Sequence, residues 1–374
     1  MSDPNPSEYG ISAPKKDSLI AAPTVHYLPE LPEDLSTPIA LIGAGGIAEY
    51  HLKSYRDAGL NVVAIVDRNK DKAEARCQEF FPNATAYTDY KALLERDDIV
   101  VIDVATHVDS RLEIVAACLK AGKHVLSQKP LVIDLEQADH LIQLAKDNKA
   151  LLAVNQNARW APHFSYMRNA IDSGIIGEVT SVDFSLQWDQ TWIANISQYD
   201  EMKHMVLYDF SIHWFDILST FLPGKKAQKV YATAINATQQ DYRPPSLASA
   251  TVSYPNALAT LSLNAHTKLG ERDVTTIVGT KGTLRSQGPG LNDQPTMELY
   301  LEEGNSQENL QGSWFTNGFL GTMTELLCAI EQQRQPSNSA SNILPGLELC
   351  FAAIESAETG KVVTPGSIRK LISH

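Results

Sequence analysis

The first half of the chain sets short apolar runs between amphipathic stretches. Ile39–Ile42, Val62–Val66, Val100–Val104, His124–Leu126 and Leu151–Val154 are nearly continuous in aliphatic residues. Between them lie segments of helical period: one ending near Ala58, then Lys70–Phe80, Arg111–Lys120 and Asp134–Lys149. Strands without polar alternation are covered on both faces, so this half predicts a parallel sheet with helices on either side. After about residue 160 the pattern changes. Val179–Leu186, Val230–Ile235, Ser249–Tyr254, Ala259–Asn264, Val274–Val278 and Met297–Leu301 alternate apolar and polar residues. Turns such as Tyr254-Pro-Asn256 and Gly279-Thr-Lys-Gly282 separate them. That alternation predicts an open, mostly antiparallel sheet with one face on the core and the other on water or a partner. Two helices, Leu320–Gln332 and Pro345–Thr359, close the chain. Residues 1–37, rich in Pro, Ser, Asp and Glu, read as an extension, partly disordered or draped over the body.

The length, 374 residues, suffices for two domains with sizeable cores. A net charge of −13 argues against nucleic acid or an anionic membrane surface as a partner. No apolar run approaches a membrane span, and the N-terminus lacks the pattern of a secretory signal. The four cysteines stand in no metal-ligand spacing, so buried, reduced thiols and a cytoplasmic location are expected, with no metal.

The first apolar run leads directly into Gly43-Ala-Gly-Gly-Ile-Ala48, which opens a helix. In such a turn the first Gly allows the tight bend and the second lets the backbone approach a pyrophosphate. The small Ala48 lets helix and strand pack closely, and the helix N-terminus faces the phosphates. Asp67 ends the next strand, where a carboxylate takes the ribose hydroxyls of an adenosine. Gly43, Gly45, Gly46, Ile47, Asp67 and Arg68 are therefore candidate cofactor contacts. Asp67 favours NAD, because it repels a 2′-phosphate; the neighbouring Arg68 leaves room for NADP. The fold class is an α/β Rossmann dinucleotide-binding domain over residues 38–158. An α+β substrate and oligomerisation domain with an open sheet follows over 159–374, its last helix placed to pack back on the first domain.

From about Pro38 to its end, the chain resembles the Gfo/Idh/MocA oxidoreductases, the family of glucose-fructose oxidoreductase and myo-inositol dehydrogenase. The marks, in order, are the glycine turn, Ala121-Gly-Lys-His-Val125, Gln128-Lys-Pro130, Arg159-Trp-Ala-Pro162, Asp209-x-x-x-His213 and Gly279-Thr-Lys-Gly-Thr283. The family's Glu-Lys-Pro is Gln128-Lys129-Pro130 here, its Thr-Pro is Thr106-His107, and its nearby His is Arg111. The resemblance implies that Lys129, Asp209 and His213 are catalytic. It also places Thr106, His107, Arg111, Gln128, Lys129, Asn157, Arg159 and Trp160 near the dinucleotide. It further implies a homodimer or homotetramer formed through the open sheet face.

Oxidising a secondary alcohol requires a proton acceptor and a positive group beside the developing alkoxide. His213 suits the first role, since an imidazole titrates near working pH. Lys129 suits the second: it follows a parallel strand and so lies at the carboxyl edge of the sheet, where ligands bind in such folds. Asp209, four residues before His213, projects from the same helical face and is placed to orient the imidazole or to hold a substrate hydroxyl. Gln187-Trp188-Asp189-Gln190-Thr191-Trp192 joins amides to aromatic faces, and Trp188 is a candidate contact to a polyhydroxylated ring. Lys129, Asp209 and His213 complete the expected substrate site. The expected activity is NAD(P)-dependent hydride transfer at a secondary alcohol or ketone of a sugar, cyclitol or related polyol. Two other tasks compete: a non-catalytic dinucleotide sensor, and redox-neutral chemistry on tightly held NAD, such as glycoside hydrolysis.

Overall fold

The computed structural model describes residues 18–372. Its first sheet is assembled from β1 (Ile39–Ile42), α1 (Gly46–Asp57), β2 (Val62–Val66), α2 (Lys70–Phe80), β3 (Thr85–Tyr87) and α3 (Lys91–Leu94). The succession continues with β4 (Val101–Val104), α4 (Val108–Lys120), β5 (His124–Ser127), α5 (Leu135–Asp147) and β6 (Leu152–Val154). The strand order is β3-β2-β1-β4-β5-β6 and every pairing is parallel. All residues of β1, β4 and β6 are buried, as continuous apolar runs require when helices cover both faces. Local chemistry starts the helices: Asn69 accepts the Lys72 backbone N–H to begin α2, and Asp134 accepts that of Glu136 to begin α5.

A 3-10 turn, Asn157–Trp160, leads into α6 (Pro162–Asp172) and the long β7 (Val179–Gln187). A second 3-10 turn (Thr191–Asn195), α7 (Ser197–Asp200), a π-helical turn (Val206–Phe210) and α8 (Ile212–Phe221) follow. The second sheet is then completed by β8 (Lys229–Ile235), β9 (Leu247–Tyr254), β10 (Ala257–Asn264), β11 (Arg272–Gly279), β12 (Gly282–Gly288), β13 (Thr296–Leu301) and β14 (Gly304–Asn309). Its order is β14-β13-β12-β11-β7-β10-β9-β8, antiparallel except for the parallel pair β7–β10. Inward positions of β7 such as Val182, Phe184 and Leu186 are buried, and the positions between them are not. β12, β14 and α6 escaped the periodicity reading. Glycine and polar residues blur the two strands, and α6 buries the polar His163 and Ser165 among its apolar residues, so its inner face reads as mixed.

Two helices end the chain, α9 (Trp314–Glu331) and α10 (Ala340–Thr359). α9 lies against α1, where Leu326 and Leu327 join Leu52 and Tyr55 in one apolar cluster. Before α10, Asn338 exchanges hydrogen bonds with Val154 of β6, so this turn is tied to the edge of the parallel sheet. Residues 18–37 lie over the body. Ile20 donates to Asn305 on the edge strand β14, Tyr27 packs on Tyr166, and Glu331 accepts from Glu33 and Asp34 backbone N–H groups. The remainder of the expected extension, residues 1–17, lies outside the described residues. Among the described residues no helix is long and apolar enough to cross a membrane, and all four cysteines are free and buried.

Candidate active site

The carboxyl edge of the parallel sheet carries the glycine turn. Gly43 has φ +102°, a region that L side chains avoid, and a Cβ there would stand 3.0 Å from the Ala105 carbonyl. Cβ atoms at Gly45 or Gly46 would meet nothing within 4 Å, so open space lies over the start of α1. Gly45 caps that helix without a side-chain hydrogen bond. The Gly46 and Ile47 N–H groups at the start of α1 therefore remain available to an anion, while that of Ala48 bonds the Gly45 carbonyl. Asp67 follows β2 and braces the turn: Oδ2 accepts the Ala44 N–H at 2.9 Å and Oδ1 that of Asn69 at 2.8 Å. Arg68 is exposed beside it. Backbone donors for a pyrophosphate and a carboxylate for ribose hydroxyls form a donor set that fits a dinucleotide.

A cavity of about 490 Å³ opens next to Ile47 and runs between the two sheets. Thr106, His107, Arg111, Gln128, Lys129 and Asn157 line it from the nucleotide half, and Trp188, Asp209 and His213 from the other. Lys129 and Asp209 are each 16% exposed; Lys129 Nζ lies 3.1 Å from Asp209 Oδ1 and 2.8 Å from the Asp209 carbonyl oxygen. Asp209 thus pairs with the lysine rather than orienting the imidazole. The local backbone contributes to this. Ser211 N–H bonds back to the Val206 carbonyl, the widened step of a π-turn, so Asp209 and His213 do not stand on one regular α-helix. His213 is enclosed edge-on by Trp314, with ring centroids 5.3 Å apart, and its Nδ1 has no partner. Burial, assisted by the nearby Lys129 charge, holds the imidazole well below its usual pKa.

Gln128 belongs to a buried polar network. Its amide nitrogen and that of Asn155 each lie 3.2 Å from His51 Nε2, which therefore accepts, and His51 Nδ1 faces Asp103 Oδ2 at 2.7 Å. Tyr55 donates to the same carboxylate at 2.6 Å. Gln128 Oε1 accepts the Lys129 backbone N–H at 2.7 Å, so the network reaches the lysine's main chain. A glutamate at position 128 would offer His51 no donor. The amide therefore suits the partners it meets.

Two of the expected cofactor contacts, Arg159 and Trp160, lie outside the cavity. Arg159 is buried and commits its guanidinium to Asp216, with both hydrogen bonds at 2.6 Å. Trp160 is buried against Gly321, where an added Cβ would come within 2.1 Å of the indole. Neither lines the cavity, because the 3-10 turn that carries them faces α8 and α9. Arg111 does line it, yet its guanidinium donates to the carbonyls of Thr106 and Pro130. It braces the turns that flank the cavity, and burial lowers its pKa to about 10. His204 pairs with Glu358 at 2.7 Å, away from the cavity. The periodicity reading missed the aromatic wall supplied by Tyr199, Phe210, Trp214, Trp314, Phe315 and Phe319. Phe210 and Trp214 stand four apart, a spacing that reads equally as the core stripe of a helix. Trp314-Phe315 at the head of α9 was the one legible signal for the rest.

A six-stranded parallel sheet in this order, with an open glycine turn and an acid after the second strand, defines a dinucleotide-binding fold. Residues 38–156 match the family model described as an oxidoreductase family with an NAD-binding Rossmann fold, and 164–285 match the GFO/IDH/MocA C-terminal domain. The chain belongs to the GFO/IDH/MocA family. An inositol 2-dehydrogenase of Rhizobium meliloti is 27% identical over 86% of this chain and 97% of its own length. An Agrobacterium radiobacter oxidoreductase, solved with NAD+, L-tartaric acid and magnesium, superposes with a TM-score of 0.80 at 23% identity, covering 89% of this chain and 99% of that one. Scyllo-inositol dehydrogenase of Lactobacillus casei, solved with NAD(H) and scyllo-inositol, gives 0.74 at 20% identity, covering 89% and 100%. These likenesses establish the shared fold.

Proposed function

We propose that this NAD-dependent oxidoreductase oxidises a secondary alcohol of a sugar, cyclitol or related polyol, or reduces the matching ketone. The observation that carries the reading is the convergence of Lys129, from the nucleotide half, and Asp209 and His213, from the other half, on one cavity. The site residues act as follows. Gly43, Gly45, Gly46 and Ile47 receive the pyrophosphate at the start of α1, and Asp67 takes the adenosine ribose, which favours NAD over NADP. Thr106, His107, Gln128 and Asn157 border the nicotinamide end. NAD+ bound there supplies the hydride acceptor.

The Lys129 ammonium, held by Asp209, keeps a donor for the substrate oxygen and stabilises negative charge as it develops. His213 accepts the hydroxyl proton at Nε2, the ring nitrogen left beside the cavity once Nδ1 is enclosed. Its lowered pKa keeps the imidazole neutral, and so able to accept, at working pH. Trp188 packs on Trp214 at 5.3 Å and gives the substrate ring a face to lie on.

The outer face of the large sheet supports pairing with a second copy of the chain. It presents Tyr231, Ile235 and Leu258, all 45% exposed or more, among Ser and Thr residues. Sedimentation should therefore give a dimer or tetramer. The buried free thiols support a reducing, cytoplasmic setting. The test of function is NADH formation by the purified protein with NAD+ and a panel of polyols. Turnover that disappears in Lys129→Ala supports the assignment. No turnover of any polyol, or full activity in Lys129→Ala, would sink it.

A further inference from the structure

The walls of the cavity describe its substrate more narrowly than "polyol". Around Lys129, Asp209 and His213 the surface is made chiefly of Trp188, Trp192, Phe210, Trp214, Leu291 and Trp314. The neutral polar side chains there are few, chiefly Thr106, Gln128, Asn157 and Gln190, and the last two keep their amide N–H groups for a ligand hydroxyl. Asn157 Oδ1 accepts the Trp314 indole N–H at 3.0 Å, and Gln190 Oε1 accepts that of Trp192 at 2.5 Å. Lys129 already donates twice to Asp209. These groups, with the remaining Lys129 donor and His213, suit the hydroxyls of one sugar ring. An apolar group against the same wall gains from leaving water and from stacking on indole faces.

Trp192 sets the direction of such a group. It is 40% exposed yet lines the cavity, so it stands at the mouth. It is not free to swing, because Gln190 holds its indole N–H and Tyr199 meets it edge-on, with ring centroids 5.4 Å apart. Ile196, four residues on, is 41% exposed. A rigid aromatic surface left at the mouth of a cavity whose depths hold the ion pair fits a ligand with one polar end and one apolar end.

We propose that the substrate is a monosaccharide glycoside whose aglycone is an aryl or similarly large apolar group. Its sugar ring presents a secondary hydroxyl to Lys129 and His213, and its aglycone lies against Trp192. This rests on the dehydrogenase reading above. The reaction it undergoes is that same oxidation: the carbinol carbon loses a hydride to NAD+, its oxygen loses a proton to His213, and the glycosidic bond stays intact.

The experiment compares phenyl and methyl glycosides of the same sugar in gluco, galacto and manno series, with myo-inositol as the fully hydroxylated control. The expected result is a kcat/KM at least tenfold higher for the phenyl member of the accepted series, with myo-inositol the poorest. Trp192→Ala should collapse the phenyl-to-methyl ratio toward one. Equal values for the pair, or preference for myo-inositol, would overturn the glycoside assignment while leaving the dehydrogenase reading intact. If no compound reduces NAD+, it is the dehydrogenase reading that fails. Quenching of tryptophan fluorescence by the two phenyl and methyl ligands with NADH present then judges the cavity. Tighter phenyl binding that weakens in Trp192→Ala supports the site, and equal binding rejects it.

Discussion

Replacing Lys129 by Met removes one ammonium and keeps an unbranched stem of similar length. Loss of a positioned donor to a developing oxyanion costs about 2.7–4 kcal/mol, or 10²–10³ in kcat. A second consequence follows from the pair itself: Asp209 loses the cation 3.1 Å from its carboxylate. Lys129→Met with Asp209→Asn removes that unpaired charge and separates its effect from the loss of the donor. A third concerns His213, whose proton affinity Lys129 helps to depress. Without that positive charge the imidazole protonates at a higher pH, so the acid limb of kcat/KM must move upward. The assay is NADH formation across roughly pH 4 to 9, extended downward because burial holds His213 well below the ordinary histidine range. NADH binding is followed in parallel by fluorescence, to establish that the variant still folds and holds the dinucleotide. A variant within about tenfold of the parent, with an unmoved acid limb, would refute both the alkoxide role and the electrostatic coupling to His213.

Asp67→Ala removes a carboxylate placed for ribose hydroxyls. Charge-assisted hydrogen bonds of this kind contribute about 1.5–3 kcal/mol, so KM for NAD should rise roughly 10- to 100-fold and the preference over NADP should narrow, as kinetics with both cofactors would reveal. Asp216→Ala leaves the buried Arg159 guanidinium uncompensated; denaturant unfolding should register a loss of about 3–5 kcal/mol. His163 gives the acid stability a definite sign. It is buried against Phe164, and burial lowers its pKa to about 3, whereas the unfolded imidazole titrates near about 6.5. Between those values the unfolded state binds more protons, so stability falls as the pH drops through this window. At about 1.36 kcal/mol per pH unit the full loss is roughly 4–5 kcal/mol. Urea unfolding of His163→Phe should show a shallower acid slope than the parent.

Much of the nucleotide half is legible in the residues alone. Buried parallel strands must be apolar throughout, helix caps require Asn69 and Asp134, and a tight strand–helix turn requires Gly43. Each demand is local, so each leaves a local mark. Lys129, Asp209 and His213 were candidates through the family resemblance and their proton chemistry, since a polar stripe on a helix reads equally as a solvated face. The roles of Arg159, Arg111 and Asp209 were not visible. An arginine paired to a buried carboxylate reads the same in sequence as one facing a ligand, and its partner Asp216 lies far along the chain.

The aromatic wall and the His51–Asp103–Gln128 network were also beyond local reading, because their members come from elements distant in the chain. Periodicity reports which face of an element is apolar. It does not report what that face meets, and Trp214 or Trp314 could as well have lined a core as a cavity. The elements and their chemistry were therefore written in the order of the residues. The pairing of charges and the shape of the cavity arose only when the two sheets and the closing helices packed together, because both depend on distances between segments that no local pattern encodes.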